Sequence, residues 1–207
     1  MSDTGPARPP QGDEGTQLKS VCVFCGSSPG GDPDFLEAAR RMGRAIAASD
    51  RRLVYGGSNI GLMAALASSA LDAEGEVVGV LPRTLADMGL AHPHLTTTHV
   101  VDSMHERKAL MATLSDGFVA LPGGLGTLDE LFEIWSWAQL GLHAKPIGLL
   151  NVNGFYDPLL AFVDRVVEQG FMRRGHRDAL IVEAGPDRLL TRLETFQPME
   201  VSKWTGA

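Results

Sequence analysis

Short, continuously apolar runs alternate with helical patterns from Val21 almost to the end of the chain. The runs are Val21 to Cys25, Leu53-Val54-Tyr55, Val77 to Leu81, Phe118 to Leu121 and Ile147 to Leu150, with His99-Val100-Val101 as a shorter candidate. Between them lie segments with helical periodicity. Asp32 is placed to cap a helix with Pro33 at its first position, and Phe35, Ala38, Ala39, Met42, Ala45 and Ile46 mark one face of it. An alanine-rich helix runs to about Asp72, and others are expected over Ser103 to Leu114, Thr127 to Leu140, Asp157 to Gly170 and onward from Pro186. Parallel neighbours need a crossover, and an intervening helix supplies it. Strands without inside–outside alternation are buried on both faces. The pattern therefore predicts an α/β fold, a doubly wound Rossmann-like parallel sheet with helices on both faces, in a single domain.

In such a sheet the ligand lies beyond the carboxyl ends of the strands. Three glycine-rich turns fall there: Gly26-Ser27-Ser28, Gly56-Gly57-Ser58 and Gly123-Gly124-Leu125-Gly126-Thr127. The third follows a strand and opens a helix, where free amides and the positive end of the dipole favour an anion. No Gly-Lys-Ser/Thr follows, so it is not a nucleoside-triphosphate loop. Gly124-Leu125-Gly126-Thr127-Leu128-Asp129 meets only the first two glycines of the dinucleotide pattern and comes late in the chain. A single phosphate or a short phosphorylated ligand fits better.

A hydrophobic content of 44% over 207 residues suffices for a substantial core. The net charge of −7 argues against a nonspecific nucleic-acid binder and for a small-molecule partner. Residues 1–18 lack the apolar core of a signal peptide and read as a disordered tail. The domain is expected over 19–195, with a C-terminal tail over 196–207. No run has the length of a membrane span, which points to a soluble, cytoplasmic protein. Cys22 and Cys25 have a C-x-x-C spacing, but on a strand they face opposite sides and read as buried thiols. His92, His94, His99 and His105 lack a partner at ligand spacing and read as surface loop residues; no metal site is expected. The loop from Pro82 to Thr98 is either a lid or a surface excursion. Trp135 and Trp137 read as core or interface anchors pointing in different directions.

Three charged residues invite chemistry. Ser103 and Glu106 have the spacing of a capping box, but Arg107 and Lys108 beside them oppose the helix dipole and need a counter-charge, either a bound phosphate or a nearby acid. Glu130 has two readings. With Thr127 it forms T-x-x-E, again a capping box; alternatively, beside an anion loop, it holds sugar hydroxyls or stabilises an oxocarbenium-like transition state.

Cys25-Gly26-Ser27-Ser28, Gly56 to Met63, Met104 to Lys108, Pro122 to Glu130 and Trp137 to Gly141 together resemble the Lonely guy (LOG) family, over about Val21 to Leu193. The family is known as cytokinin riboside 5′-monophosphate phosphoribohydrolases, once labelled lysine decarboxylases; nothing in the chain resembles a pyridoxal-phosphate lysine site, and no cofactor is implied. The resemblance implies release of an adenine-type base and ribose 5-phosphate from a nucleoside monophosphate. It places Arg107 and Glu130 as the catalytic pair, Gly123, Gly124, Gly126 and Thr127 around the phosphate, and Lys108 close by. It also places Gly26, Ser27, Gly57 and Ser58 along the nucleotide cleft and implies a homodimer or higher homo-oligomer. One departure concerns Gly89, near which relatives carry a ligand-holding glutamate; here the nearest acid is Asp87, which affects base selectivity more than reaction type. The rival reading is a non-catalytic carrier or sensor of a phosphorylated ligand, for which the same loops would serve.

Overall fold

The computed structural model describes residues 18–198. Seven strands form one sheet: β1 (Ser20–Phe24), β2 (Arg52–Tyr55), β3 (Val77–Pro82), β4 (Thr97–Val101), β5 (Gly117–Ala120), β6 (Ile147–Leu150) and β7 (Leu180–Glu183). Their order is β4-β3-β2-β1-β5-β6-β7, with every pair parallel. The order reverses between β1 and β5, so the loops after these two strands leave the sheet side by side at the switch point.

Helices α1 (Pro33–Ala48), α2 (Gly61–Asp72) and α8 (Pro186–Glu194) cover one face; α4 (Met104–Thr113), α5 (Leu125–Gln139) and α6 (Asp157–Glu168) cover the other. Alternate residues of β1 divide between the two cores, Val21 and Val23 on the α1–α2 side and Cys22 and Phe24 on the α4–α5 side. Cys25 follows on the α1–α2 side, so the two thiols lie in different cores, both buried and free. Burial raises both thiol pKa values, and the nearby Glu130 carboxylate adds to the effect. Asp32 Oδ1 accepts from the Asp34 amide, the cap expected from sequence.

Several elements differ from the sequence expectation. Strand β7, the short helices α3 (Arg83–Asp87) and α7 (Arg174–Asp178) and a 3-10 turn at Val152–Gly154 go beyond it. Strand β4 is longer than its apolar triplet because it is the sheet edge, where Thr97 and Thr98 face solvent. The segment between β3 and β4 is tied down rather than loose. Ser58 and Ala91 form an antiparallel bridge, and the Asn59 amide donates to Leu90 O at 2.9 Å. His92 is a correction: it is buried, with Nε2 3.1 Å from Ser68 Oγ, whereas His94 and His105 are exposed. The expected tails lie outside the described residues except at their inner ends, where Leu18 and Phe196 pack against the core. No helix among the described residues is long and apolar enough to cross a membrane.

Gly61 joins the second glycine turn to the first. It has φ +56°, and a Cβ there would run into the Ser27 backbone, so the close approach admits no side chain. Gly61→Ala is expected to lower stability by at least about 2 kcal/mol, from left-handed strain plus overpacking. A urea denaturation midpoint equal to that of the parent would contradict this packing.

Candidate active site

The Pro122-Gly123-Gly124 turn is fixed from three directions. Gly26 N donates to Pro122 O at 3.1 Å, Leu121 N donates to Phe24 O at 2.9 Å, and Tyr156 Oη donates to Leu121 O at 2.6 Å. The first bond inside α5 runs from Leu128 N to Gly124 O at 3.1 Å. The amides of Leu125, Gly126 and Thr127 therefore have no partner in their own helix and suit an anion. Beside them lies a crevice of about 250 Å³ lined by Gly26 to Gly30, Phe35, Leu62, Pro122 to Gly124 and Phe155. The first and third glycine turns thus share one crevice. The second contributes differently: Gly57 O accepts from His92 N at 3.0 Å, and Ser58 Oγ, buried, donates to Leu90 O at 3.2 Å. Gly57 and Ser58 anchor the segment leading to β4, and neither lines the crevice.

Helix α5 starts two residues before the expected Thr127, with Gly124 as its N-cap and no side-chain cap. The capping-box reading of Glu130 is therefore overturned: Thr127 is the third helical residue, Glu130 the sixth, and Glu130 Oε1 instead accepts from Arg107 Nη1 at 2.7 Å. Thr127 folds back toward Gly123, whose missing side chain leaves room for it. The sequence hid this because its glycines read as loop, although Gly126 lies inside the first helical turn.

Arg107 and Glu130 are both buried. Arg107 Nε also donates to Val80 O at 3.0 Å, which fixes the guanidinium against β3. Burial raises the Glu130 pKa, and the charge of Arg107 and its hydrogen bond offset part of that rise. Glu130 Oε2 and Arg107 Nη2 have no hydrogen-bond partner among the described residues, so each member of the pair keeps capacity for another group. Neither lines the 250 Å³ crevice; the pair stands on the α4–α5 side of the strand ends.

Lys108 is occupied elsewhere, its Nζ 3.1 Å from Asp129 Oδ2 and 2.9 Å from Glu133 Oε2. Burial lowers its pKa, but these two ion pairs outweigh burial and the net shift is upward. Of the two counter-charges open to Arg107 and Lys108 from sequence, the structure supplies acids on α5. The capping of α4 holds in altered form: Ser103 Oγ accepts from the Glu106 amide at 3.1 Å, while Glu106 Oε2 accepts from Asp102 N rather than from Ser103. Trp135 is buried with Nε1 donating to His176 O at 3.1 Å, and is a core residue. Gly89 has no side chain and Asp87 is exposed, so this segment supplies no buried carboxylate at either position. Among the described residues no group of three or more His, Cys, Asp or Glu could hold a metal ion. The sequence marked Gly56 as part of a ligand-facing turn and Val80 as strand, but not their packing against the guanidinium; a backbone carbonyl and an absent side chain carry no signal of such a contact.

Fold and site together define an α/β protein with a helix start at the switch point whose first amides have no partner in their own helix, and a buried arginine–glutamate pair beside it. The family model described as "Possible lysine decarboxylase" matches residues 63–193. The chain is 52% identical over 165 residues to the cytokinin riboside 5′-monophosphate phosphoribohydrolase of Rhodococcoides fascians, covering 79% of this chain and 83% of that protein. It is 44% identical over 184 residues to one from Arabidopsis thaliana, covering 89% and 81%. A probable one from Oryza sativa subsp. japonica is 44% identical over 183 residues, covering 88% and 75%. The chain belongs to this phosphoribohydrolase family. Among solved structures, the molybdenum cofactor binding protein of Rippkaea orientalis superposes with a TM-score of 0.64 at 22% identity, over 85% of this chain and 94% of that one. The molybdenum cofactor carrier protein of Chlamydomonas reinhardtii gives 0.66 at 19%, over 87% and 98%. At that identity the likeness is one of fold.

The electrostatics of the pair set a pH-dependent expectation. Because burial raises the folded-state pKa of Glu130 above its ordinary 4.5, its contribution to stability is present in full below that value and lost as pH rises through the folded pKa. Arg107→Ala removes the offsetting charge and raises that pKa further, so the loss of stability grows with pH. It is expected to reach about 3–5 kcal/mol above neutrality, the usual cost of stranding one member of a buried pair. Thermal melts at acidic and alkaline pH check this. A deficit that shrinks toward alkaline pH would contradict the assignment.

Proposed function

We propose that the chain hydrolyses the N-glycosidic bond of adenosine 5′-monophosphates, N6-substituted ones in preference to AMP itself, releasing free base and ribose 5-phosphate. The observation that carries the reading is the buried Arg107–Glu130 pair, 2.7 Å between Nη1 and Oε1, on helices that meet beside an anion-binding turn. The phosphate binds at the Gly123, Gly124, Gly126 and Thr127 end of α5, and Gly26 and Ser27 form the facing wall of the crevice. The ribose lies across the strand ends toward Glu130. There the carboxylate stabilises positive charge on the ribosyl ring, holds its hydroxyls or orients water, while Arg107 positions both carboxylate and nucleotide. Water adds to the anomeric carbon, the C–N bond breaks with its electrons going to the base, and a proton from water ends on the base.

Lys108 takes a supporting place in this scheme, clamping α4 to α5 through Asp129 and Glu133 so that Arg107 and Glu130 keep register. Gly57 and Ser58 support it by holding the segment that precedes β4. We assign the protein to the cytoplasm as a homodimer. Met104, Leu125 and Phe132, exposed apolar residues on α4 and α5, supply surface for a second copy.

Phosphate binding, remote from the C–N bond, is expected to lower the barrier as well as to hold substrate. Base release followed by chromatography should therefore show turnover of monophosphates, with nucleosides lower in kcat as well as higher in KM, and triphosphates poor. The acid limb of the rate profile should have its midpoint above the ordinary glutamate value of 4.5, since burial raises Glu130. Equal turnover of adenosine and AMP would contradict the phosphate assignment.

A further inference from the structure

We propose that Gly56 is a positioning residue for Arg107: the space left by its absent side chain is the slot in which the guanidinium lies. A Cβ built on Gly56 would collide with Arg107 Nη2 and come within 3.3 Å of Arg107 Cζ. Its other close neighbour is Met63 Sδ at 3.2 Å, on an adaptable thioether chain. Gly56 is not among the positive-φ glycines, so its backbone suits alanine without strain. The collision that requires glycine here is therefore with the guanidinium, since Met63 Sδ at 3.2 Å can give way on its flexible chain.

Neighbouring glycines behave differently. At Gly61 a Cβ would meet the Ser27 backbone, and at Gly79 the Cα of Gly57 at 2.8 Å, so substitution there disturbs the chain itself. At Gly56 the atom in the way is the far end of a flexible side chain, which yields before the backbone does. Arg107 has little freedom to yield while keeping its partners. Nε is bonded to Val80 O at 3.0 Å and Nη1 to Glu130 Oε1 at 2.7 Å, and the Gly56 slot receives Nη2. The second glycine turn thus serves the reaction through Arg107, in addition to its tie to the segment before β4.

An alanine at 56 drives the guanidinium out of its slot and loosens its bond to Glu130. The charged and titratable groups around that carboxylate are Arg107 and Lys108 on α4, Asp129 on α5, and the thiols of Cys22 and Cys25 at β1. Arg107 is the one whose distance changes. With its charge drawn away, Glu130 is easier to protonate, so the acid limb of activity moves to higher pH.

The inference rests on the reaction proposed above, and two readouts keep the two apart. In the full chain, Gly56→Ala is expected to lower kcat by about tenfold or more with a smaller change in KM, as misplaced catalytic groups do, and to shift the acid limb upward. Near-parental kcat, or a loss of kcat with an unmoved acid limb, would overturn the assignment. The second readout needs no activity. A lysine side chain has no atom equivalent to Nη2, so melting temperatures of Gly56→Ala, Arg107→Lys and the double variant should be non-additive. Alanine at 56 should cost less in the Arg107→Lys background than beside the native arginine. Additive losses would overturn the slot, whether or not the parent chain releases base and even if the single Gly56→Ala variant is too unstable to assay.

Discussion

A guanidinium and a carboxylate lie 2.7 Å apart, buried against the carboxyl ends of the strands. Stranding either one there would cost several kcal/mol, so the elements that carry them must meet in one register. Helix α4 brings Arg107, α5 brings Glu130, and β3 adds the Val80 carbonyl that accepts from Nε. The outer pairs of Lys108 with Asp129 and Glu133 hold the same two helices along their length. Space for the pair comes from the glycine turn after β2, whose backbone stands where a side chain would displace the guanidinium.

The switch in strand order between β1 and β5 places the glycine turn that opens α5 next to this pair. Gly26 and Gly123 approach so closely that a Cβ on Gly26 would lie 3.3 Å from Gly123 Cα. The turn that opens α5 lines the crevice through Gly123 and Gly124, while Glu130, further along the same helix, bonds to Arg107. One helix thus supplies both the phosphate-binding end and the carboxylate of the proposed reaction. The fold itself does not dictate that chemistry, since molybdenum cofactor carriers share it at about one-fifth identity. Relatives named as phosphoribohydrolases share far more of the sequence.

Strand–helix alternation carried most of the architecture into the sequence. Continuously apolar runs such as Val21 to Cys25 and Ile147 to Leu150 marked buried parallel strands, and Asp32-Pro33 marked a helix start. Edge strand β4 was harder to see because one-sided exposure admits Thr97 and Thr98, and β7 because its run is only four residues ending in Glu183. His92 has the same composition whether it lies on a surface loop or against Ser68, so its burial had no local signal. At the site, T-x-x-E suggested a cap, but glycine was accommodated within the first helical turn and moved the start of α5 back to Leu125. The meeting of Arg107 with Glu130 is tertiary, between residues on different helices, and composition and spacing alone left its counter-charge open.

The central claim is that the negative charge of Glu130 acts on the reaction. Glu130→Gln separates that charge from the hydrogen bond, because the amide oxygen of glutamine still accepts from Arg107 Nη1 at nearly the same place. Base release from AMP and an N6-substituted analogue, measured at saturating substrate beside a thermal melt of the same preparation, is the direct test. The account predicts a cooperative melt with a rate lower by ~10²-fold or more, the range that follows loss of electrostatic transition-state stabilisation. A rate within a few-fold of the parent would contradict it and leave Glu130 as the structural counter-charge of Arg107.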